Sequence, residues 1–584
     1  MKMIGYLYAI SLMGSLCVSS CESDDARSDA GPLSDFYLTV SAGAVQLSQQ
    51  NAARQALEIA WSGGADDRST RYTLEIGIDG EAPADAGSWS KSFVRGERVC
   101  VLTQEELNRI VIDECNVRKS ASVRLKVKLT MNTSVHWKLY SVADSAYVNC
   151  SLYTPVYPEQ RHKAPMYWSP YEYNYEKNSY MPEDEWQANI DWVAANLKNY
   201  GYTLVSTDGW MTEHDLRVCN EYGYVSRASI NWQHDYAYWA DYCRSKGLQL
   251  GIYGNPLWVP REVAQSGLKI KGTDIPVANI VDLNEYRNGH QYNWVQLDRE
   301  GAEAWVRGYV DHYAEMGAVF LRVDFLSFYE DGKDRFRPEG VGPDRPDWMY
   351  ETALRWMREQ CDKHDMFLSV AMNHAYGDAA VERNYAHSIR VSVDTEAGGW
   401  ERFSALERGV HYPMWMQWMN PFDGLVYFSR ISGRGRVMLD GDFIRLNTMA
   451  SDGECRSVVS LNVIAGGLVA VADCHDTAGD RLRFYQNREL TALVQDGFTG
   501  KPLSDDPNDP QSSVWTGELT DGSRIVAVFN RESQPLEYTL TPSELGFTSG
   551  VVRDLWEHRN LPQQSSYEFD IPAHDCVVLK ISKP

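Results

Sequence analysis

Apolar and polar positions alternate near both ends of the chain and follow another pattern in the middle. Between residues 36 and 155, short runs place apolar side chains at every second position, as in residues 57–61 and 72–76. A period of two is typical of half-buried strands, and polar turns separate the runs. This segment predicts an antiparallel β-sandwich of the immunoglobulin or fibronectin type. Residues 500–584 return to the same pattern and predict a second antiparallel sandwich.

Residues 156–499 carry a different pattern, in which short apolar runs alternate with segments of helical period. Helical segments such as residues 185–199 and 299–316 lie between the runs. Eight strand–helix units over this length predict a (β/α)8 TIM barrel. The predicted barrel strands are residues 165–168, 202–206, 248–253, 319–323, 367–371, 388–393, 436–439 and 467–472.

The first 35 residues predict export rather than a folded domain. Met1-Lys2-Met3 is a basic start, and the apolar residues 4–18 that follow are too few to remain as a membrane span. Small residues precede Cys21, as in a bacterial lipobox, so Cys21 is predicted to become the lipidated first residue. Residues 1–20 are then a signal peptide and residues 21–35 a polar tether. The expected location is the cell envelope, in the outer membrane. The alternative is an ordinary signal peptide with an incidental cysteine.

Composition narrows the classes of partner. The formal net charge of −24 disfavours nucleic acid and anionic membrane surfaces, since both would repel the protein. Contact with a membrane is therefore expected through the lipid alone. The 19 Trp and 34 Tyr suit the apolar faces of sugar rings, besides packing in the core. Of the eleven cysteines, Cys17 and Cys21 belong to the predicted signal, which leaves nine. An odd number implies at least one free thiol, and the lack of CxxC pairs makes a zinc site unexpected.

Two carboxylates end strands of the predicted barrel. Asp324 follows residues 319–323, and Asp394 follows residues 388–393. The carboxyl ends of barrel strands meet on one face, where such barrels have their active sites. Hydrolysis of a glycosidic bond with retention needs two carboxyls about 5–5.5 Å apart. The pair predicts a retaining glycosidase with Asp324 as nucleophile and Asp394 as acid/base, although a lone strand-end aspartate is as often a helix cap or ion-pair partner.

Five motifs lie in the expected order along the barrel: Thr207-Asp208-Gly209-Trp210 after the second strand, residues 246–253 at the third, residues 317–324 at the fourth, Arg390 four residues before Asp394, and Asp440-Gly441-Asp442 after the seventh. Together they resemble glycoside hydrolase family 27, the α-galactosidases and α-N-acetylgalactosaminidases, from residue 164 to about residue 499 and more loosely beyond. The resemblance implies a barrel with a C-terminal β-sandwich and an exo-acting, retaining, α-galactosidase-like activity on the terminal sugars of glycans. Double displacement by two carboxylates requires no metal or organic cofactor.

Substrate-binding residues are expected at the same strand ends. The resemblance implies that Asp208 and Arg322 bind ring hydroxyls and that Arg390 orients the sugar. Asn373 and His374, after the fifth strand, are candidates for facing the sugar, and aromatic side chains after the first three strands are candidates for a stacking wall. The full predicted set is Trp168, Thr207, Asp208, Trp210, Tyr253, Arg322, Asn373, His374 and Arg390, with Trp258 as a further aromatic candidate.

Two positions depart from the family pattern and leave the sugar open. Arg322 stands where the family has a lysine, and Thr207 replaces the first of two aspartates that would hold hydroxyls of galactose. Hydrogen-bonding groups discriminate strongly between hydroxyl patterns. The alternatives are therefore a β-L-arabinopyranosidase, an α-N-acetylgalactosaminidase or an isomaltodextranase. The alternative from another class is a surface glycan-binding protein without activity, and the N-terminal sandwich can serve as a spacer or as a sugar-binding module.

Overall fold

The computed structural model forms two compact units, Met1–Pro155 and Val156–Pro584. The predicted signal peptide, the predicted tether and Cys21 lie outside the described residues. No helix in the described part of the chain is long and apolar enough to cross a membrane. The structure describes residues 36–582 apart from residues 53, 65–69, 81–86, 94–95, 116, 118–120, 136–137, 154–162, 212–215, 288–290, 330–344, 346, 413–416 and 546–549.

The first unit is a pair of sheets that share one core. In the strand Gln55–Ser62 the alternate residues Leu57, Ile59 and Trp61 are buried, as the period of two predicts. They pack with buried residues of the second sheet, such as Leu74 and Leu125. The sheets have the orders β1-β3-β6 and β2-β8-β7-β4-β5. The elements are β1 (Tyr37–Val40), β2 (Ala44–Gln46), β3 (Gln55–Ser62), β4 (Arg71–Ile78), β5 (Trp89–Phe93), β6 (Val99–Thr103), α1 (Gln104–Arg109), β7 (Ser122–Val135) and β8 (Lys138–Ser151).

The second unit begins with a parallel sheet in the order β20-β19-β18-β17-β13-β10-β9-β22-β21. The seventh strand is interrupted at Gly441 and Asp442, so that β20 pairs with the sixth strand and β21 with the eighth. This closes the ring of eight strand positions. The barrel strands are β9 (Met166–Trp168), β10 (Leu204–Ser206), β13 (Gln249–Gly254), β17 (Ala318–Val323), β18 (Phe367–Val370), β19 (Ser388–Arg390), β20 (Met438–Asp440), β21 (Phe443–Ile444) and β22 (Val469–Val471).

Helices follow most barrel strands, and two small antiparallel sheets are inserted after the second and third strands. The inserted strands are β11 (Val218–Cys219), β12 (Val225–Arg227), β14 (Trp258–Pro260), β15 (Val281–Arg287) and β16 (Tyr292–Val295). The helices are α2 (Tyr171–Lys177), α3 (Glu183–Asn196), α4 (Tyr236–Ser245), α5 (Arg261–Ala264), α6 (Ala302–Glu315), α7 (Asp347–Lys363), α8 (Tyr376–Ala379), α9 (Glu382–Tyr385), α10 (Pro421–Phe428), α11 (Asp452–Ile464), α12 (Leu482–Tyr485) and α13 (Arg488–Asp496).

The chain ends in two antiparallel sheets with the orders β23-β24-β25-β30-β27-β28 and β26-β29. Arg531 and Asp575 of this part bind Asp423 and Arg456 of the barrel helices, so both regions belong to the same unit. The predicted fold class, a barrel followed by a C-terminal β-sandwich, is confirmed. The strands are β23 (Lys501–Pro502), β24 (Val514–Glu518), β25 (Arg524–Phe529), β26 (Leu536–Leu540), β27 (Val551–Asp554), β28 (Arg559–Asn560), β29 (Tyr567–Ile571) and β30 (Cys576–Ser582).

Candidate active site

A cavity of about 370 Å³ opens at the carboxyl ends of the barrel strands. Asp208 follows β10, Asp324 follows β17, and Asp394 lies just past the end of β19. These three carboxylates line the same cavity together with Arg322 and Arg390. The closed ring thus brings together side chains that are up to 186 residues apart in the sequence (208 to 394).

Asp324 is held at both carboxylate oxygens and is 8% exposed. The Tyr253 hydroxyl donates a 2.8 Å hydrogen bond to one oxygen, and the backbone N–H of Phe325 donates one of 2.8 Å to the other. The Asn255 side-chain amide donates to the Asp324 carbonyl oxygen at 2.7 Å. Burial, and then the Asp324 charge, raise the pKa of Tyr253 well above its usual value. The Tyr253 hydroxyl therefore keeps its proton and orients the carboxylate.

Asp394 also lines the cavity, and its side chain is 45% exposed. The buried Arg390 guanidinium contacts the Asp394 carboxylate at 2.6 Å and that of Asp442 at 3.6 Å. Burial alone would lower the pKa of Arg390, but the charges of Asp394 and Asp442 raise it above its usual value. Arg390 is thus a permanent cation that connects the exposed carboxylate of Asp394 to the buried carboxylate of Asp442.

Arg322 also contacts Asp442 and is buried among acidic partners. Its guanidinium forms an ion pair with Asp440 and a second one with Asp442 at 3.3 Å, and it donates to the Tyr167 hydroxyl at 3.2 Å. Burial raises the pKa of the Asp442 carboxyl to about 6, and the Arg390 charge limits that rise. Several donors of Arg322 are therefore occupied by the protein itself, which limits what remains for a ligand.

The residues after the second strand divide between wall and support. Asp208 lines the cavity and accepts a 3.5 Å hydrogen bond from the Ser169 hydroxyl. The Thr207 hydroxyl instead accepts from the backbone N–H of Tyr253 at 2.8 Å and does not belong to the cavity wall. This corrects the prediction that Thr207 binds substrate. Trp210 lies in the short turn Gly209–Met211, and its side chain is outside the described part of the structure.

Three further predictions are corrected by burial away from the cavity. Trp168 is completely buried against Trp186 of α3, and its indole N–H donates to the Asp473 carbonyl oxygen at 2.9 Å. Asn373 is buried and its amide donates to the Arg390 carbonyl oxygen at 3.0 Å. His374 is buried between rings rather than facing the cavity. These side chains support the wall from behind, whereas Tyr253 and Trp258 do line the cavity.

The burial of His374 predicts a loss of stability in acid. Burial lowers the pKa of His374 to about 3, below that of the unfolded chain. As the pH falls below about 6.5 the unfolded state takes up a proton that the folded state refuses, so folding weakens. Between pH 6.5 and pH 5 this group should cost roughly 2 kcal/mol. Urea unfolding at several pH values should show a shallower pH dependence for His374→Gln, and identical slopes would contradict the prediction.

Sequence reasoning missed three residues at the site. Tyr171 lines the cavity from the helix after the first strand. Asp442 was seen as part of a motif but was not assigned to the site, although it contacts both arginines. Arg445 is buried three residues after Asp442, and it binds the backbone of Glu396, beyond Asp394. The motif position could have indicated Asp442, whereas the sequence carries no signal for the other two.

The cysteines and the metal-ligating side chains add no further centre. All nine cysteines in the described residues are free thiols. Eight of them are buried and Cys219 is half-buried. Within the described part of the chain, no three His, Cys, Asp or Glu side chains are grouped so that they could hold a metal ion.

Comparison with known proteins places this site in a family. The model of the alpha-galactosidase C-terminal beta-sandwich domain matches residues 509–581. The isomalto-dextranase of Arthrobacter globiformis is 37% identical over 436 residues, which are 72% of this chain and 67% of that protein. A structure of the A. globiformis T6 isomalto-dextranase with panose aligns with a TM-score of 0.68 at 35% identity, over 74% of this chain and 76% of the other.

A more distant structure shares the fold alone. The family 27 β-L-arabinopyranosidase of Geobacillus stearothermophilus aligns with a TM-score of 0.57 at 19% identity, over 72% of this chain and 96% of the other. The identity to the isomalto-dextranase extends over about two thirds or more of both chains. The chain therefore belongs to glycoside hydrolase family 27, the α-galactosidases and their relatives, and it is a retaining glycoside hydrolase.

Proposed function

We propose that this enzyme hydrolyses an α-glucan of the dextran type from its end, with Asp324 as nucleophile and Asp394 as acid/base. The roles of nucleophile and acid/base are assigned from one observation: the two carboxylates line the same cavity but differ in burial and hydrogen bonding. Asp324 is buried and hydrogen-bonded at both oxygens, whereas the Asp394 side chain is half exposed. A fixed carboxylate suits attack on carbon, and an accessible one suits exchange of a proton with the leaving group and with water.

The reaction proceeds in two displacements. An Asp324 oxygen attacks the anomeric carbon, the glycosidic C–O bond breaks, and Asp394 gives its proton to the departing oxygen. Asp394, now a carboxylate, then takes a proton from water as that water attacks the anomeric carbon and breaks the bond to Asp324. The Tyr253 hydroxyl and the Phe325 N–H hold the nucleophile throughout. The Arg390 guanidinium contacts Asp394 at 2.6 Å and orients its carboxyl group.

Asp208 is the proposed contact for hydroxyls of the bound sugar. It lines the cavity together with Tyr253. Arg322 lines the same cavity and is paired with Asp440. Thr207 leaves the second strand without the first of the two family aspartates, and its hydroxyl is occupied by the backbone of Tyr253. A site with one carboxylate here, rather than two, favours a sugar whose hydroxyl pattern differs from that of galactose.

Aromatic side chains make up much of the remaining cavity wall, and their rings suit the apolar faces of bound sugars. These aromatic residues include Tyr224, Tyr236, Trp305, Tyr309 and Tyr313.

Two resemblances favour different substrate classes. The relative that is 37% identical over 72% of this chain is named an isomalto-dextranase, which favours a dextran-type glucan. The second candidate is an α-galactoside, and the observation that favours it is the match of residues 509–581 to the α-galactosidase C-terminal domain. That domain lies outside the cavity wall, so it carries less information about the sugar than the wall itself.

A substrate panel tests the proposal. Short α-1,6-linked gluco-oligosaccharides, nitrophenyl α-galactoside and nitrophenyl β-L-arabinopyranoside are incubated with the enzyme, and products are separated by chromatography. We expect kcat/KM for the gluco-oligosaccharides to exceed that for the galactoside by at least about 10²-fold, since mismatched hydroxyls leave polar groups of the site unpaired. The reverse preference would establish the second candidate. Glycan binding without turnover on any substrate would favour a non-catalytic glycan-binding protein.

We further propose that the protein is a lipoprotein of the cell envelope. The support is the basic start, the apolar residues 4–18 and the small residues before Cys21. The lipid on Cys21 would then be its contact with the membrane, consistent with the net charge of −24. Mass spectrometry of the N-terminal peptide of the mature protein tests this proposal. We expect the peptide to begin at Cys21 with a lipid attached, and an unmodified first residue would contradict the proposal.

A further inference from the structure

The segment of residues 394–396, which carries the proposed acid/base, is fixed at consecutive residues by buried side chains. We propose that Arg445 is a positioning residue for Asp394, and that it acts together with Asp442 and Tyr171 by fixing the backbone of this segment. The inference rests on the proposed role of Asp394 as acid/base. Arg445 does not line the cavity, so it acts through the segment and not on the substrate.

Arg445 connects the segment to the helix after the first strand. Its side chain is 2% exposed and follows directly after β21. The guanidinium donates to the Glu396 carbonyl oxygen at 2.8 Å, to Glu176 at 2.6 Å and to Glu172 at 3.3 Å. Three acceptors in three directions use the fork of the guanidinium, which a single ammonium group cannot reproduce.

Glu396 shows that this fixation works against the backbone's own preference. Its φ is +44°, in the left-handed region that residues other than glycine rarely adopt. Such a conformation persists where the surroundings determine it. Here the Glu396 N–H donates to the Tyr171 hydroxyl at 3.1 Å while its carbonyl oxygen accepts from Arg445. Both sides of the residue are therefore held.

Asp442 fixes the residue in between. The N–H and the hydroxyl of Thr395 donate to one Asp442 oxygen at 2.8 and 3.1 Å. The other Asp442 oxygen contacts Arg322 at 3.3 Å and Arg390 at 3.6 Å, and Arg390 also contacts Asp394. Asp442 therefore binds the backbone of Thr395 and the guanidinium groups of Arg322 and Arg390 at the same time.

The consequence concerns the distance over which Asp394 must transfer a proton. Proton transfer requires a heavy-atom separation of about 2.6–3.2 Å. The Asp394 side chain is half exposed and is restrained chiefly by its ion pair with Arg390, so the position of its backbone also decides how often the carboxyl reaches the leaving oxygen. Loosening residues 395–396 should therefore impair steps that need the acid/base and spare steps that do not.

Leaving-group dependence distinguishes positioning from general stability. A dinitrophenyl glycoside releases its phenolate without an acid, whereas a sugar leaving group needs one. We expect Arg445→Met to lower kcat/KM on an unactivated oligosaccharide by about 10²-fold while changing kcat/KM on the dinitrophenyl glycoside by less than about threefold. Azide, which attacks without a general base, should then raise kcat on the activated substrate for this variant and not for the wild type.

Two milder variants keep the test decisive if Arg445→Met folds poorly. Arg445→Lys keeps the charge without the fork, and Tyr171→Phe removes only the hydroxyl that accepts from Glu396. Both should show the same selective loss, of about tenfold. Arg531→Met removes an equally buried arginine that binds Asp423 outside the site, and it should affect both substrates alike.

The outcomes separate the two proposals. Equal losses on both substrates for Arg445→Lys and Tyr171→Phe, without a response to azide, would overturn the positioning role. Asp394→Ala provides the reference pattern, a large loss on the oligosaccharide with azide rescue on the activated glycoside. If that variant shows no dependence on the leaving group, then the assignment of Asp394 itself is wrong and the inference fails with it.

Discussion

Replacing Asp324 with asparagine is expected to abolish hydrolysis while the protein stays folded. An amide cannot form the covalent bond to the anomeric carbon, so turnover should fall by at least about 10⁴-fold. The substitution keeps the shape of the side chain, which still accepts from the Tyr253 hydroxyl or the Phe325 N–H. The loss should therefore appear in kcat with both activated and unactivated substrates. This differs from the loss expected when the acid/base is removed.

Asp208→Asn is the matched control, because this carboxylate also follows a barrel strand and lines the same cavity. As a proposed hydroxyl contact, it should cost activity by about 10- to 10³-fold, much less than the nucleophile. Initial rates with a dinitrophenyl glycoside, together with circular dichroism of each variant, supply the measurement. Residual activity of Asp324→Asn at or above that of Asp208→Asn would contradict the assignment.

Replacing Arg322 with methionine is expected to destabilise the barrel by about 3–5 kcal/mol. The change leaves Asp440 and Asp442 buried without the cation that they share. Methionine fills much of the volume, so the cost arises from uncompensated charge rather than from a cavity. The free energy of unfolding can be measured by urea titration at pH 7. Arg322→Lys, which restores the lysine of the family pattern, should cost less.

A surface ion pair supplies the comparison for Arg322. Arg244 pairs with Asp241 on an exposed helix face, with both side chains more than half exposed. Arg244→Met should therefore change the unfolding free energy by at most about 0.5 kcal/mol. Pairing Arg322→Met with Asp440→Leu should recover part of the loss, since a buried charge is removed together with its partner. Equal effects of the two arginine substitutions would contradict the role of burial.

The barrel could be predicted from the sequence because its strands are short apolar runs bounded by turns. Each of the eight predicted runs coincides with an observed strand, although the ends differ by a few residues. The interruption of the seventh strand at Gly441 and Asp442 could not be predicted. The apolar pattern of one segment shows that it is a strand, but not which neighbouring strands it pairs with when the barrel closes. That interruption places Asp442 and Arg445 at the site.

Facing was harder to predict than position. Successive residues of a strand point to opposite sides. In β9 the Tyr167 hydroxyl accepts from Arg322 inside the barrel, so Trp168 must face the helix layer, where it meets Trp186. The predicted carboxylates Asp208, Asp324 and Asp394 do line the cavity, because an unpaired charge is expensive to bury elsewhere in the core. Asn373 carries no such penalty once it binds the backbone of Arg390.

The most direct test of the carboxylate pair is to trap the covalent intermediate. A 2-deoxy-2-fluoro glycoside of the preferred sugar, with a dinitrophenyl leaving group, should form a glycosyl-enzyme that hydrolyses slowly, because the fluorine destabilises the oxocarbenium-like transition state. Proteolysis and mass spectrometry then locate the added sugar. The sugar should be found on Asp324. Its attachment to any other carboxylate, or a product of inverted anomeric configuration without an adduct, would contradict the mechanism.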